Sequence, residues 1–311
     1  MIYLINKNVD PAINFGIEEY FMRETNEDVF TLWQNDRTIL LGKNQDAYAE
    51  MDIEYALAND LKIVRRLSGG GTIYCDLGNM QYSFITNDDS TSKGCESFAK
   101  FAEPIVGALK NLNLDASFTG RNDIILEGSK ISGNAQYRNK NRIIHHGTLL
   151  YSSDRETLSK VLYSRPIKFQ NKAVKSVNAR IGEIKDFVDM SLEEFMEYII
   201  QYIVDFYDIK EVLSYDTLSD DIKSRIDFYA QRFRDEKWNI GKNFDSSFKT
   251  FSIKHPYGLV EYKLRIKDGL IDDLYIMGDY FEDRDVETLA QSLIGTKLDK
   301  EALGKSLKNY E

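Results

Sequence analysis

The sequence predicts a soluble mixed protein, α+β or α/β in its larger part, followed by a smaller hairpin-rich unit. Three observations carry this. In the first half, short runs of β-branched and aromatic residues alternate with apolar residues at helical spacing. After Phe251 the pattern changes to strands joined by a tight Asp268-Gly269 turn. The 311 residues, 42% hydrophobic and 29% charged, have the composition of an ordinary globular chain.

Along the chain, Asp10-Pro11 opens a helix running through Tyr20 and Phe21. Phe30 to Trp33 and Thr38 to Leu41 read as strands, Ile53 to Asn59 as a helix, then Lys62 to Arg65 and Ile73 to Cys75 as strands. Phe101, Ile105, Leu109 and Leu112 fall at helical spacing within Phe98 to Leu112, with Pro104 a kink or a start. Ile124 to Leu126, a turn at Glu127-Gly128-Ser129, Lys130 to Ser132 and Gly147 to Tyr151 form a meander. Ser191 and Glu194 have capping-box spacing for a helix reaching about Tyr207. Tyr215 to Phe244 has the character of a charged connector, helical in its middle. Leu259 to Lys267 and Leu270 to Met277 pair as a hairpin, and Val286, Leu289 and Leu293 mark a closing helix. The division expected is 1–245, including the connector at about 215–245, and 246–311, the latter near the lower size limit for a unit that folds alone.

Several functions are excluded early. Stretches such as Tyr198 to Val204 fall far short of the roughly 20 apolar residues of a membrane span, and no secretory signal is read, so a cytoplasmic protein without membrane attachment is expected. Cys75 and Cys95 are too few for a disulfide framework and would act, if at all, as single thiols. A net charge of -10 argues against duplex nucleic acid. The local exceptions, Arg65-Arg66 and the run of Arg121, Lys130, Arg138, Lys140 and Arg142, suit a small anion.

Three motifs carry chemistry. Arg65-Arg66-Leu67-Ser68-Gly69-Gly70-Gly71-Thr72 lies between two predicted strands, where consecutive glycines can turn amides toward an anion and the arginines can hold a carboxylate or phosphate. Neither a P-loop nor a placed dinucleotide fingerprint occurs, so an ATP site would be of another kind. In Lys130-Ile131-Ser132-Gly133-Asn134-Ala135, strand alternation places Lys130 and Ser132 on one face and Ile131 on the other. A lone lysine is ordinarily a solvated surface residue. Its small neighbours and the basic cluster favour a role in stabilising charge on a phosphoryl or carbonyl oxygen, with Asp123 a candidate magnesium ligand. His145-His146-Gly147-Thr148 invites a metal reading, but adjacent strand residues point to opposite faces and cannot share one ion.

Together these segments resemble the lipoate-protein ligase A family within the biotin and lipoate ligase superfamily. The resemblance runs through Asp10-Pro11, Asn14, Glu18-Glu19, Trp33-Gln34-Asn35, Gly42, Asn44-Gln45 and Glu50 to the Arg65–Gly71 run. It resumes at Asp76–Asn79, Gly120–Asp123, Lys130–Ala135, His145–Thr148, Lys175-Ser176-Val177 with Arg180, and Gly278–Phe281. It implies an α+β catalytic domain of mixed sheets flanked by helices and a small α+β accessory domain. It also implies a monomer that uses ATP and Mg2+ to activate lipoate as lipoyl-AMP, releasing diphosphate. The lipoyl group then passes to a lysine of a lipoyl-acceptor domain, of 2-oxoacid dehydrogenase subunits or the glycine cleavage H protein. Carried over by position, Lys130 is the catalytic lysine, and Arg66, Ser68, Gly70, Gly71, His146 and Gly147 bind lipoate and its adenylate. Thr72, Ile73, Tyr74, Asn79, Asp123, Lys130, Ser132, Gly133 and Ala135 serve the nucleotide, with Asp123 on the metal. Two departures stand out: Cys75 replaces a histidine common in the family, and Ile181-Gly182-Glu183 replaces an asparagine-containing continuation.

The rivals are an ATP-independent octanoyl or lipoyl transferase, a biotin ligase and a non-catalytic lipoate-binding protein. The transferase needs a cysteine nucleophile just upstream of the Lys130 segment, and Gly120 to Leu126 contains no thiol. The arginine-rich glycine loop of biotin ligases is absent. The binder is separated by ATP-dependent release of diphosphate.

Overall fold

The computed structural model describes residues 1–88, 95–120, 122–162, 181–255, 258–281 and 286–299, with Cys95 and Glu96 described by their backbone alone. Arg121, Lys175 to Val177 and Arg180 of the sequence motifs lie outside the described residues.

Among the described residues, the larger part is built on an eight-stranded mixed sheet. Its strands are β1 (Ile2–Ile5), β2 (Val29–Trp33), β6 (Asn79–Asn87), β7 (Ala116–Thr119), β8 (Asp123–Leu126), β9 (Ser129–Asn139), β10 (Arg142–Leu150) and β11 (Glu211–Ser214), in the order β11-β1-β2-β6-β10-β9-β8-β7. Strand β1 is parallel to both its neighbours and the remaining pairs are antiparallel. A small sheet, β4-β3-β5, comprises β3 (Thr38–Leu41), β4 (Lys62–Arg65) and β5 (Ile73–Cys75). A separate antiparallel sheet follows near the C-terminus, from β12 (Lys249–His255), β13 (Gly258–Lys267) and β14 (Leu270–Gly278). The architecture is α+β.

Alternation along the strands sends successive residues to opposite faces of the large sheet. Met80, Tyr82 and Phe84 of β6 pack with α4 (Cys95–Asn111) and α6 (Leu192–Phe206) through Phe101, Ile105, Leu109, Phe195, Ile199 and Ile203. Pro104 sits inside α4 rather than at its start. Ser191 and Glu194 form the capping box on α6. On the other face, α1 (Pro11–Glu24) begins at an Asp10 cap with proline in its first turn and buries Ile17 and Phe21 against Val29, Ile85 and Ile144.

The span read as a connector does more than connect. Its helix α7 (Asp220–Arg234) buries Ile226, Ala230 and Phe233 and lies so close to α1 that a Cβ at Gly16 would stand 2.6 Å from the Ile226 carbonyl. The short α8 (Glu236–Asn239) then meets β4 through Asn239 and Trp238. Short α2 (Ala47–Glu50), α3 (Ile53–Ala58) and α5 (Arg155–Val161) cover the small sheet with Leu61, Tyr74 and Ile240, while α9 (Val286–Leu293) packs Ala290 and Leu293 on the C-terminal sheet.

Candidate functional site

The site lies where the large sheet, the small sheet and α1 converge. Register across three strands aligns Trp33, Gln81 and Thr148 in one row and Thr31, Ser83 and His146 in the next, on the face turned toward α1. Trp33, Gln81, Thr148 and His146 of these rows floor a cavity of about 170 Å³. Phe15 of α1, Leu40 of β3 and Ile73 of β5 form apolar walls, and Gly70, Gly71 and Thr72 of the glycine loop form a rim.

The arginines that precede this loop are held differently from the expectation that they grip an anion. Arg65 donates from Nη1 to the carbonyls of Gly42, Lys43 and Gln45 and from Nε to that of Trp238. It is a brace between the Gly42–Gln45 segment that follows β3 and α8. Arg66 donates to the carbonyls of Leu40, Gly69 and Gly71 and to Ser68 Oγ. Both are buried, which lowers each to about 10 and leaves them cationic at neutral pH. Arg65 is thus engaged with carbonyls away from the cavity lining, whereas Arg66 lines the cavity while bonded to the carbonyls of the surrounding loop. Gly70 adopts φ +94°, and a Cβ there would come within 2.8 Å of the Phe281 ring. Gly71 differs, with no atom within 4 Å of an added Cβ among the described residues.

A continuous hydrogen-bonded line runs beneath the cavity. Trp33 Nε1 donates to Ser83 Oγ (2.8 Å), Ser83 donates to Glu18 Oε1 (2.6 Å), and the same carboxylate oxygen lies 3.0 Å from His146 Nδ1. His146 Nε2 then meets Ser68 Oγ at 2.7 Å, and Ser68 accepts from Arg66 Nε at 3.0 Å. The directions agree if Nδ1 carries the histidine proton and Ser68 donates to Nε2. His145 points to the opposite face, stacked on Phe101 at 4.9 Å and bonded to Gln136 and Asn134. Burial holds it well below the usual histidine range, so it is neutral.

At the outer edge, Lys130 Nζ lies 2.7 Å from Asp123 Oδ1 and over Gly133, where an added Cβ would be 3.4 Å away. Alternation fails locally. The β8-β9 ladder shifts register here, pairing Ile124 with Ser132 and Ile125 with Lys130 and leaving Ile131 extra. Ile131 packs in the core on the α4 and α6 side, and Ser132 is fully buried on that same side, 3.4 Å from Asn134. The expected shared face of Lys130 and Ser132 is thus corrected by a bulge, which turns Ser132 away and leaves Lys130 at the cavity. The segment that departs from the family pattern is the one that holds this lysine's backbone: Ile181 bridges to Lys130, and Gly182 donates to the Lys130 carbonyl at 3.0 Å.

Of the residues expected at the site, Arg66, Gly70, Gly71, Thr72, Ile73, Lys130, Gly133, Ala135, His146 and Gly147 line the cavity. Ser68 stands behind the wall in the hydrogen-bonded line, and Tyr74 is buried in the core beneath α2 and α3. Asn79 accepts from Ser153 and does not line the cavity, and Asp123 reaches it through its ion pair with Lys130. Cys75 is buried with Gln81 Nε2 3.4 Å from its sulfur, and burial pushes its thiol up to about 12, so it is no nucleophile.

The C-terminal sheet closes the cavity. Gly278 donates to the Asn44 carbonyl at 2.8 Å, the Tyr280 carbonyl occupies the space that a Cβ at Gly69 would need, and Lys263 pairs with buried Asp46. Phe281 thereby lines the cavity and meets Phe98 edge-on at 5.6 Å.

Residues 10–204 match the lipoyl protein ligase A/B catalytic domain and residues 249–311 the bacterial lipoate protein ligase C-terminus. Lipoate-protein ligase LplJ of Bacillus subtilis is 35% identical over 100% of this chain and 96% of its own length. The chain belongs to the lipoate-protein ligase family. Lipoate-protein ligase 1 of Staphylococcus aureus is 36% identical over 100% of this chain and 94% of its own. The family's fold is matched by P. falciparum LipL1, solved in complex with lipoate, with a TM-score of 0.81, 24% identity, and coverage of 99% and 94%. A bipartite lipoate protein ligase with its E2 lipoyl domain from Thermoplasma acidophilum matches at 0.67, with 26% identity and coverage of 78% and 98%. Lipoate-protein ligase A bound with ATP matches at 0.66, with 24% identity and coverage of 77% and 98%. Family membership makes the chain an enzyme of the ligase class, and no helix among the described residues is long and apolar enough to cross a membrane.

Sequence reasoning assigned no site role to Phe15, Trp33, Leu40, Gln81, Asn122, Asn134, Thr148 and Phe281, all of which line the cavity. Most read as core or as polar strand residues. The signal for Glu18 was its place in a buried helix face, where a carboxylate requires partners.

Proposed function

We propose that this ligase activates lipoate with ATP and transfers the lipoyl group to a lysine of a lipoyl domain, in 2-oxoacid dehydrogenase subunits or the glycine cleavage H protein. The observation that carries the reading is the meeting of an apolar, buried cavity end at Phe15, Trp33 and Leu40 with a cationic edge at Lys130. An acyl chain fits the first and its carboxylate the second.

In the first half-reaction a lipoate carboxylate oxygen attacks the α-phosphorus of ATP, and the bond to the leaving diphosphate breaks. Lys130 neutralises charge on the carboxylate and phosphoryl oxygens, and the backbone of Thr72 to Tyr74 serves the nucleotide. Magnesium ordinarily binds through one or two carboxylates plus substrate phosphates, so the single carboxylate of Asp123 fits it, and the ion would supply positive charge at those phosphates. In the second half-reaction the acceptor amine attacks the acyl carbonyl, an amide forms, AMP leaves and the amine's proton passes to solvent. We assign 1–245 to binding and chemistry and 246–311 to closure, with Phe281 keeping water from the anhydride. Cytoplasmic location accords with these substrates.

The test is intact-mass measurement of a purified apo lipoyl domain incubated with the enzyme. Modification of one lysine that requires lipoate, ATP and magnesium together is expected. Modification without ATP from an acylated carrier protein would contradict the reading in favour of a transferase.

A further inference from the structure

Thr148 carries polar chemistry that the proposed reaction leaves unused. It stands two residues beyond His146 on β10, so strand alternation turns both side chains to the cavity face, with Thr148 in register with Gln81 and Trp33. Its hydroxyl lies beside Gly133 and accepts from the Gly133 amide at 3.2 Å. Among the described residues its own proton finds only the Gly133 carbonyl, at 3.5 Å. That is beyond the roughly 2.5–3.0 Å of an O–H···O bond. One lone pair is thus used on the strand, and the proton remains a donor for a ligand in the cavity.

Lys130 brings a second donor to the same place. Apart from its chain neighbours, an added Cβ at Gly133 would meet only the Lys130 side chain within 4 Å among the described residues, Nζ at 3.4 Å and Cε at 3.5 Å. The absent side chain leaves cavity space at Gly133 that an ammonium and a hydroxyl both border. We propose that Thr148 is a catalytic residue of the transfer step, its hydroxyl and the Lys130 ammonium together holding the acyl oxygen on which negative charge develops. The inference rests on the reading of this cavity as the lipoate site. When the acceptor amine attacks the acyl carbon, the carbonyl π pair moves onto that oxygen. Its return breaks the acyl carbon's bond to the AMP oxygen, AMP leaves, and the amine's proton passes to solvent. Donors aimed at that oxygen strengthen as the charge builds and so lower the barrier to transfer. In adenylation the same oxygen belongs to a carboxylate that is giving up charge, so the hydroxyl has no growing charge to stabilise there.

The experiment separates the two half-reactions in wild type, Thr148→Val, Thr148→Ala and Thr148→Ser. Adenylation is read as lipoate-dependent exchange of labelled diphosphate into ATP. Transfer is read as single-turnover acylation of a purified apo lipoyl domain by enzyme preloaded with its adenylate. The ratio of the transfer rate to the exchange rate is expected to fall about 10- to 100-fold in Thr148→Val and Thr148→Ala, and to return in Thr148→Ser, which keeps the hydroxyl. Equal falls in both half-reactions, as loss of a mere support for the Gly133 amide would give, overturn the inference and leave the ligase reading intact. So does a ratio that stays unchanged in either folded variant. No exchange in wild type overturns the ligase reading and the inference with it.

Discussion

Lys130 is the residue on which the proposed chemistry depends, yet it contributes little to the fold. Its side chain is 40% exposed and ion-paired with a partly exposed carboxylate, an arrangement worth about 0–1 kcal/mol. Lys130→Ala is expected to lower adenylate formation by on the order of 10²–10³-fold, the usual effect of removing a transition-state donor, with thermal unfolding nearly unchanged. Diphosphate release measured beside a calorimetric melt checks both. Cys75 is the opposite case. Burial raises its thiol from 9.0 to about 12, so the folded state disfavours the thiolate. Below pH 9 neither state ionises and nothing is lost; between about 9 and 12 the unfolded chain releases the proton first and stability falls. Cys75→Ser is expected to retain most activity and to lessen that alkaline loss, measured by denaturant unfolding across this range. Near-complete loss of activity would mean that the thiol takes part in the reaction.

Among the elements, the glycine loop separates conformational need from space. Gly70→Ala forces an alanine to φ +94° and its methyl onto Phe281, a strain of about 1–2 kcal/mol or more. Gly71→Ala meets nothing within 4 Å among the described residues, so its methyl takes open space at a residue that lines the cavity. The expectation is a lower melting temperature for the first and an unchanged one with a several-fold higher KM for lipoate for the second. Reversal of that pattern would show that the loop is held otherwise. Elements with local signals were legible in the sequence: the Asp10-Pro11 start of α1, the Ser191 capping box of α6 and the Asp268-Gly269 hairpin, whose turn residues have φ 53° and 80°. Strand β6 was not, because Asn79 to Ile85 is buried on both faces and shows no alternation. Strands β9 and β10 were read only in fragments, since the polar residues Asn134, Gln136 and His145 are buried there by bonding to one another and His146 by bonding to Glu18 and Ser68. The bulge at Ile131 comes from the pairing of β8 with β9, which no local pattern records.

For the whole molecule, the site is completed by two parts of the chain that are distant in sequence. The motifs pointed to Lys130, the glycine loop and His146, whereas Phe281 could be placed at the cavity only once the C-terminal sheet was docked. That docking uses the buried Lys263–Asp46 pair and the Gly278 bond to Asn44. Removing one partner of a buried pair costs about 3–5 kcal/mol. Lys263→Ala is therefore expected to loosen the C-terminal sheet, seen as faster hydrogen exchange in 249–278, and to raise hydrolysis of the adenylate when no acceptor is present. Unchanged exchange would mean that the apolar contacts of Tyr280 and Phe281 suffice. Above all, the proposed chemistry requires the cavity to make an acyl-adenylate without help from the acceptor. The decisive measurement is lipoate-dependent exchange of labelled diphosphate into ATP, with magnesium and no acceptor protein, run beside Lys130→Ala. The expected result is exchange that requires lipoate and is lost in the variant; absence of exchange in the wild-type enzyme, or exchange that persists without Lys130, would contradict it.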